Sequence, residues 1–184
     1  LEWRYRQKAI VGTLHHTEPH ENTAFEHFTE AGPLAFLPLT GQHSGFVWSL
    51  CARKADFFLS NPRNLLHAMI QHFGHGLGNL TLISPLQAYP LTCILPWRCV
   101  GKRKVLIGDA AHQFHPLAGQ GLNVGVRDAY TLSKIIEEYL DLGLDCGSLS
   151  QLERYQAMRE IDRYTMAGFT HFCAYVPGAP FRVL

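Results

Sequence analysis

The chain has 184 residues, 47% of them hydrophobic and 17% charged, with a net charge of +1. That balance describes a folded globular protein and excludes a disordered one. Near-neutral charge excludes a broad electrostatic footprint for nucleic acid, and no apolar run approaches the roughly 20 residues of a membrane-spanning helix.

The opening Leu1-Glu2-Trp3-Arg4-Tyr5 has neither an initiator Met nor the apolar core of a signal peptide, as expected of a piece of a longer protein. A strand is predicted over 7–14, around Ala9-Ile10-Val11. Residues 15–22 are polar, include Pro19 and read as a turn. Short strands follow over 25–28 and 33–39. Thr40-Gly41-Gln42 turns the chain into a fourth strand over 45–51, where Phe46, Trp48 and Leu50 alternate with Val47 and Ser49. Four strands with short connections predict an antiparallel sheet.

Asn61-Pro62 opens a helix with a capping residue and a proline at its first position. Leu65, Leu66, Met69, Ile70 and Phe73 form its apolar face, and Gly74, Gly76 and Gly78 stop it. Residues 79–83 and 89–95 read as strands and 96–101 as a turn. The basic run Lys102-Arg103-Lys104 reads as a solvated turn ahead of Val105-Leu106-Ile107, a β-branched apolar run predicted to be a buried strand.

The most informative stretch is 105–128, V-L-I-G-D-A-A-H-Q-F-H-P-L-A-G-Q-G-L-N-V-G-V-R-D. Gly108-Asp109 ends the strand and leaves a carboxylate at its C-terminal edge, where ligands sit in open α/β sheets. Pro116, Gly119 and Gly121 predict a non-helical loop. After Gly121 a helix is predicted, with Leu122, Val126, Ala129, Leu132, Ile136 and Leu140 on its apolar face. Glycines admit close approach of a ligand. A helix N-terminus offers free N–H groups and partial positive charge. Asp109 suits the hydroxyls of a ligand. This helix should end near Gly143. Ser150-Gln151-Leu152-Glu153 is a capping box for a last helix, with Leu152, Tyr155, Met158, Ile161, Thr165 and Phe169 as its buried face and Pro177 and Pro180 as its end.

The ordered string G-D-A-A-H-x-x-x-P-x-x-G-Q-G-x-N over 108–123 resembles the second flavin-binding motif of the FAD-dependent aromatic hydroxylases, the para-hydroxybenzoate hydroxylase-like monooxygenases. The wording H-P-L-A-G-Q-G-L-N is similar to their ubiquinone-biosynthesis branch, the 2-octaprenyl-6-methoxyphenol hydroxylase type. The segment F-E-H-F-T-E-A-G-P-L-A-F-L-P-L over 25–39 is similar to that branch's substrate-domain sheet.

The resemblance implies an α+β / α/β chain with a partial FAD-monooxygenase fold. A mostly antiparallel substrate-domain sheet precedes a flavin-domain strand and C-terminal helices. Residues 1–98 would be the later part of the substrate domain. Residues 99–184 would be the later part of the FAD-binding domain and the start of the C-terminal helices. No G-x-G-x-x-G follows an early strand; Gly74-His75-Gly76-Leu77-Gly78 reads as a helix-stop loop. The chain is therefore expected to hold the ring and ribityl half of FAD, to bind FAD weakly or not at all by itself, and to self-associate through strand edges left bare.

By the same resemblance, Asp109 would bond the ribityl chain or a neighbouring phosphate. Pro116 would lie against the isoalloxazine ring. Gly119, Gln120 and Gly121 would wrap its pyrimidine side. The N–H groups of Leu122 and Asn123 would favour the anionic reduced flavin. Phe36, Pro38 and Trp48 are the substrate candidates. The implied reaction hydroxylates a polyprenyl phenol with NAD(P)H and dioxygen through a flavin hydroperoxide. No protein nucleophile or acid/base pair is required, since the cofactor supplies the chemistry. Implied partners are proteins of a ubiquinone-biosynthesis complex. The implied location is cytoplasmic, with peripheral contact to the inner membrane.

Two other readings stay open. One is another FAD-dependent oxidoreductase, an epoxidase or reductase of prenyl compounds. The other is a non-catalytic module that binds a partner protein. Five dispersed cysteines predict reduced thiols. The best histidine spacings, His112/His115 and His67/His72/His75, lack the four-ligand pattern of a zinc site, so no metal is expected.

Overall fold

The computed structural model describes residues 1–175. They divide into two compact units, Tyr5–Leu91 on one side and Leu1–Arg4 with Thr92–Tyr175 on the other. The class is α+β, strand-rich first and helical afterwards.

One sheet holds β1 (Glu2–His16), β2 (Phe25–Thr29), β3 (Gly32–Pro38), β4 (His43–Cys51), β5 (Leu80–Leu82) and β6 (Gln87–Ile94). The order is β2-β3-β4-β1-β5, and β6 also pairs with β1. The β1–β4, β1–β5, β2–β3 and β3–β4 pairs are antiparallel, as the short connections predict. Period-two alternation gives the sheet an apolar face of Ile10, Leu14, Leu34, Phe36, Phe46, Trp48 and Leu50. Helices α1 (Ala52–Ser60) and α2 (Pro62–Phe73) pack on it through Ala55, Phe58, Leu65 and Met69.

Helix α1 is not predicted from the sequence. It buries only Ala55 and Phe58, too few positions to set a helical period. Asn61, predicted to cap α2, makes no side-chain cap bond; its Nδ2 donates to the Phe57 carbonyl and closes α1 instead. Gly74, at φ +83°, caps α2, and beyond it a glycine is required at Gly78. Its φ is +70°, and a Cβ there would lie 2.1 Å from Thr17 Oγ1.

In the second unit, β7 (Val100–Gly101) and β8 (Lys104–Val105) form a tight hairpin. Val100 packs with Ile135, Leu152 and Tyr155 of helices α3 (Gln120–Asp141) and α4 (Leu149–Tyr175). Three expectations are corrected here. The predicted buried strand 105–107 is a strand only at Val105. Leu106 and Ile107 are about two-fifths exposed, because no strand lies beside them among the described residues.

Of the predicted apolar stripe of α3, Leu132 packs against the core and Ile136 is half-buried, but the rest does not face it. Val124, Asp128 and Ile135 are buried, while Leu122, Val126 and Leu140 are exposed, Leu122 by 77%. Helix α4 follows its predicted face through Leu152 and Tyr155, then turns Arg159, Arg163, Ala167 and Thr170 inward. Met158, Ile161, Thr165 and Phe169 are exposed. The inward set keeps helical spacing, but half of it is polar. Pro177 and Pro180 lie outside the described residues.

Candidate functional site

Gly108–Ala110 is a single 3-10 turn, with Gly108 in the left-handed region at φ +57°. The N–H groups of Ala111 and His112 both donate to the Gly108 carbonyl, at 2.8 and 2.9 Å. This doubled bond makes the turn tight and leaves Asp109 exposed at its crest. A second 3-10 turn, Leu117–Gly119, follows Pro116; it is helical where an irregular loop is predicted. Gly119, at φ +59°, then redirects the chain into α3. The helix begins at Gln120, one residue ahead of Gly121, and no side chain caps its N-terminus.

The first turn and α3 enclose an apolar cleft of about 350 Å³. Ile107, Gly108 and Asp109 form one side; Gly121, Leu122, Gly125, Val126 and Ala129 form the other. Gly125 permits this approach, since a Cβ there would lie 3.3 Å from the Cα of Gly108. Gly121 is different. Its φ is not positive, and a Cβ would meet nothing within 4 Å. Neither backbone strain nor packing within the chain requires a glycine there.

Behind the turn lies a buried polar cluster. Asp128 is wholly buried. Its Oδ2 accepts the Gly108 N–H at 3.0 Å and lies 2.8 Å from His112 Nε2; its Oδ1 accepts Arg159 Nε at 2.7 Å. Burial by itself would raise the Asp128 carboxyl. The hydrogen bonds from His112, Arg159 and Gly108 outweigh it and hold the group below the usual carboxylate range. Arg159 continues to Asp162 at 2.6 Å, and Asp162 to Arg127 at 2.7 Å. Arg163 donates to the carbonyls of Pro96 and Ala111, both at 3.1 Å. His115 is buried, and desolvation pushes its imidazole down to about 4.

Of the residues singled out in the sequence, Asp109, Gly121 and Leu122 meet across the cleft. Pro116, Gly119, Gln120 and Asn123 are not among its lining residues; they stand at the turn-to-helix junction, where Asn123 Nδ2 donates to Gln120 Oε1 at 3.2 Å. Phe36 and Trp48 present no surface at all. They fill the core between sheet and helices, with Phe36 against Phe73 and Trp48 stacked on Phe58. Substrate contact from these two is therefore withdrawn. Pro38, half-buried at the end of β3, keeps some surface.

Sequence reading missed Asp128 and Arg159. A charged residue at a core-facing helical position, four residues from Tyr155 in the case of Arg159, is the trace they leave.

Known proteins share this arrangement of chain. Residues 96–161 match the family described as FAD binding domain. Ubiquinone hydroxylase UbiL of Rhodospirillum rubrum is 39% identical over 167 residues, which cover 90% of this chain and 39% of the relative. Over these residues the chain is similar to a ubiquinone hydroxylase. A further relative, 3-demethoxyubiquinol 3-hydroxylase of Escherichia coli, is 33% identical over 165 residues, 89% of this chain and 42% of its own. The chain thus spans about two-fifths of the length of these hydroxylase relatives. Among solved structures, P. aeruginosa PqsL in complex with 2-aminobenzoylacetate superposes with a TM-score of 0.77 at 21% identity. The match covers 93% of this chain and 48% of that one and shows a shared fold.

Proposed function

We propose that the chain is part of an FAD-dependent monooxygenase that hydroxylates a polyprenylated phenol in ubiquinone biosynthesis. Residues 1–98 would be the later part of its substrate domain, and residues 99–184 the later part of its FAD-binding domain. The observation that carries this reading is Gly121. It faces open space at an uncapped helix N-terminus, opposite Asp109, with no requirement of its own chain to be glycine.

These residues fit the ring and ribityl half of FAD. A planar ring suits the apolar walls of Ile107, Leu122 and Val126. Gly121 lets the ring come close to the backbone. The N–H groups of Leu122 and Asn123 favour negative charge on the pyrimidine side. Asp109 would accept from the ribityl hydroxyls, Pro116 would lie against the ring, and Gly119 and Gln120 would wrap its pyrimidine side. When bound, the flavin supplies two-electron redox and oxygen chemistry. The chain's own task is to bind, orient and exclude water.

NAD(P)H would be the electron donor. A phenolic substrate follows from the relatives' ubiquinone chemistry. An isoprenoid tail, partner proteins of a biosynthetic complex and a cytoplasmic position peripheral to the inner membrane belong to the same proposal. No helix among the described residues is long and apolar enough to cross a membrane.

Amide chemical shifts of the labelled chain, titrated with riboflavin and separately with FAD, test the proposal. Weak saturable shifts confined to residues 107–126 are expected, with FAD little better than riboflavin. The absence of such shifts at millimolar riboflavin, or tight FAD binding that maps elsewhere, overturns it.

A further inference from the structure

We propose that Asp128 is a positioning residue whose carboxylate staples the turn that presents Asp109. A single oxygen, Oδ2, holds both ends of the five-residue segment 108–112: the backbone N–H of Gly108 at 3.0 Å and the ring Nε2 of His112 at 2.8 Å. Asp109 lies between these two anchors, exposed on the cleft. The second oxygen is held by Arg159 of α4 at 2.7 Å, which fixes the carboxylate plane. Arg159 is in turn fixed by Asp162, and Asp162 by Arg127.

Each part has a physical reason. Gly108 sits at positive φ, so its N–H points where an ordinary turn would not send it. An unbonded N–H there would leave the turn free to relax, and a buried carboxylate is the strongest acceptor available to it. His112 is itself buried and stacks on Phe114 with ring centroids 4.7 Å apart, so its ring has little freedom to release the far end. Gly125, one helical turn ahead of Asp128, clears the space that brings the turn within reach of α3.

The consequence concerns affinity rather than folding alone. A ligand gripped by Asp109 gains from a carboxylate already held in place, because less ordering is left for binding to supply. That purpose rests on the flavin reading above. The staple itself does not, and it is measured without flavin.

Hydrogen exchange of the 184-residue chain, resolved at the Gly108 amide and at α3 amides, is the test. In Asp128→Ala the Gly108 amide should exchange at least tenfold faster. Asp128→Asn keeps an acceptor oxygen of the same shape for Gly108 and His112, and should restore exchange to within about threefold of the native chain. Both variants take the Asp128 carboxylate from Arg159 and leave it only Asp162 as a charged partner, so both should melt at lower temperature. Recovery of the turn without recovery of the melting temperature is the signature of a staple; a merely structural role would move both together. Native-like exchange in Asp128→Ala, or equal acceleration by Ala and Asn, overturns the proposal.

Should Asp128→Ala not fold, His112→Ala removes one anchor and leaves the Asp128–Arg159 pair. It should speed Gly108 exchange about threefold, and unchanged exchange would again count against the staple. In Asp109→Asn, exchange at Gly108 should stay native while riboflavin-induced shifts shrink. If the native chain shows no riboflavin shifts, the flavin reading fails and the exchange result stands by itself.

Discussion

The two units solve the same problem with opposite chemistry. In the sheet unit the interior is mostly apolar: Ile10, Leu34, Phe36, Trp48, Leu65 and Met69 fill it, and its buried polar residues are His16, His20, Thr29, Ser44 and Ser49, with no Asp, Glu, Lys or Arg among them. In the helical unit the interior beside α3 and α4 holds Asp128, Arg159, Arg163, His112, His115 and Gln151. The first interior is stabilised by removal of apolar area from water. The second is bought by specific hydrogen bonds that offset the cost of burying charge. An apolar core tolerates small shifts, whereas a buried ion network has one arrangement that satisfies it. The unit that carries the exposed Asp109 turn is the one with the specific interior.

Two substitutions break the comparison most directly. Trp48→Ala should cost about 3–5 kcal/mol by leaving a cavity. Arg159→Met should cost a similar amount, about 3–5 kcal/mol, by leaving the buried Asp128 carboxylate without its guanidinium. Urea unfolding across pH separates them. The Trp48→Ala loss is the same at pH 7 and pH 4. In the native chain the Asp128 carboxyl is held low, so its contribution is full at neutral pH and fades only as the pH falls below 3.8. In Arg159→Met the carboxyl loses a hydrogen bond that holds it low while burial still pushes it up, so that acid loss should shrink. The double variant Asp128→Leu/Arg159→Met sharpens the point. It should recover most of the stability, as apolar replacement of buried pairs often does, yet lose the protection of the Gly108 amide.

The next effect in size comes from His115. Its imidazole is pushed from 6.5 down to about 4 by burial. The unfolded chain therefore takes up this proton first. Stability is full above pH 6.5 and drains as the pH falls to about 4, by on the order of 3 kcal/mol. His115→Gln should flatten that part of the stability-against-pH curve. A curve of unchanged slope would show that His115 is not the group responsible. Gly78→Ala, in the apolar unit, should cost about 1–2 kcal/mol through its positive φ, with the clash against Thr17 added. This loss should not vary with pH.

The same contrast explains what was legible in the sequence. Strands β1 to β4 and helix α2 are legible from alternation and helical spacing, because most of their buried positions are apolar and most of their exposed ones are not. The face of α4 is not legible because Arg159, Arg163 and Thr170 occupy inward positions, and that of α3 is not legible because its inward positions are Val124, Asp128 and Ile135 while apolar residues also lie on the outer side. Leu122 and Val126 look like core by composition, yet they line an open cleft. Arg159 and Arg163 look like surface, yet they lie inside. Asp109, Gly121 and Leu122 were identified from the ordered string and meet across one cleft. Asp128 stood at the end of that same string, but no spacing rule says that a helical carboxylate will reach back 20 residues to a glycine N–H. Phe36 and Trp48 show the converse error, where aromatics on a strand belong to the core.

One variant tests directly whether the cleft is kept open for a flavin. In Gly121→Leu the new side chain meets no atom of its own chain at Cβ, and leucine favours a helix over glycine by up to about 1 kcal/mol. We predict a melting temperature equal to or above the native one, together with at least tenfold weaker riboflavin binding. A stable variant that binds riboflavin as the native chain does would contradict the account.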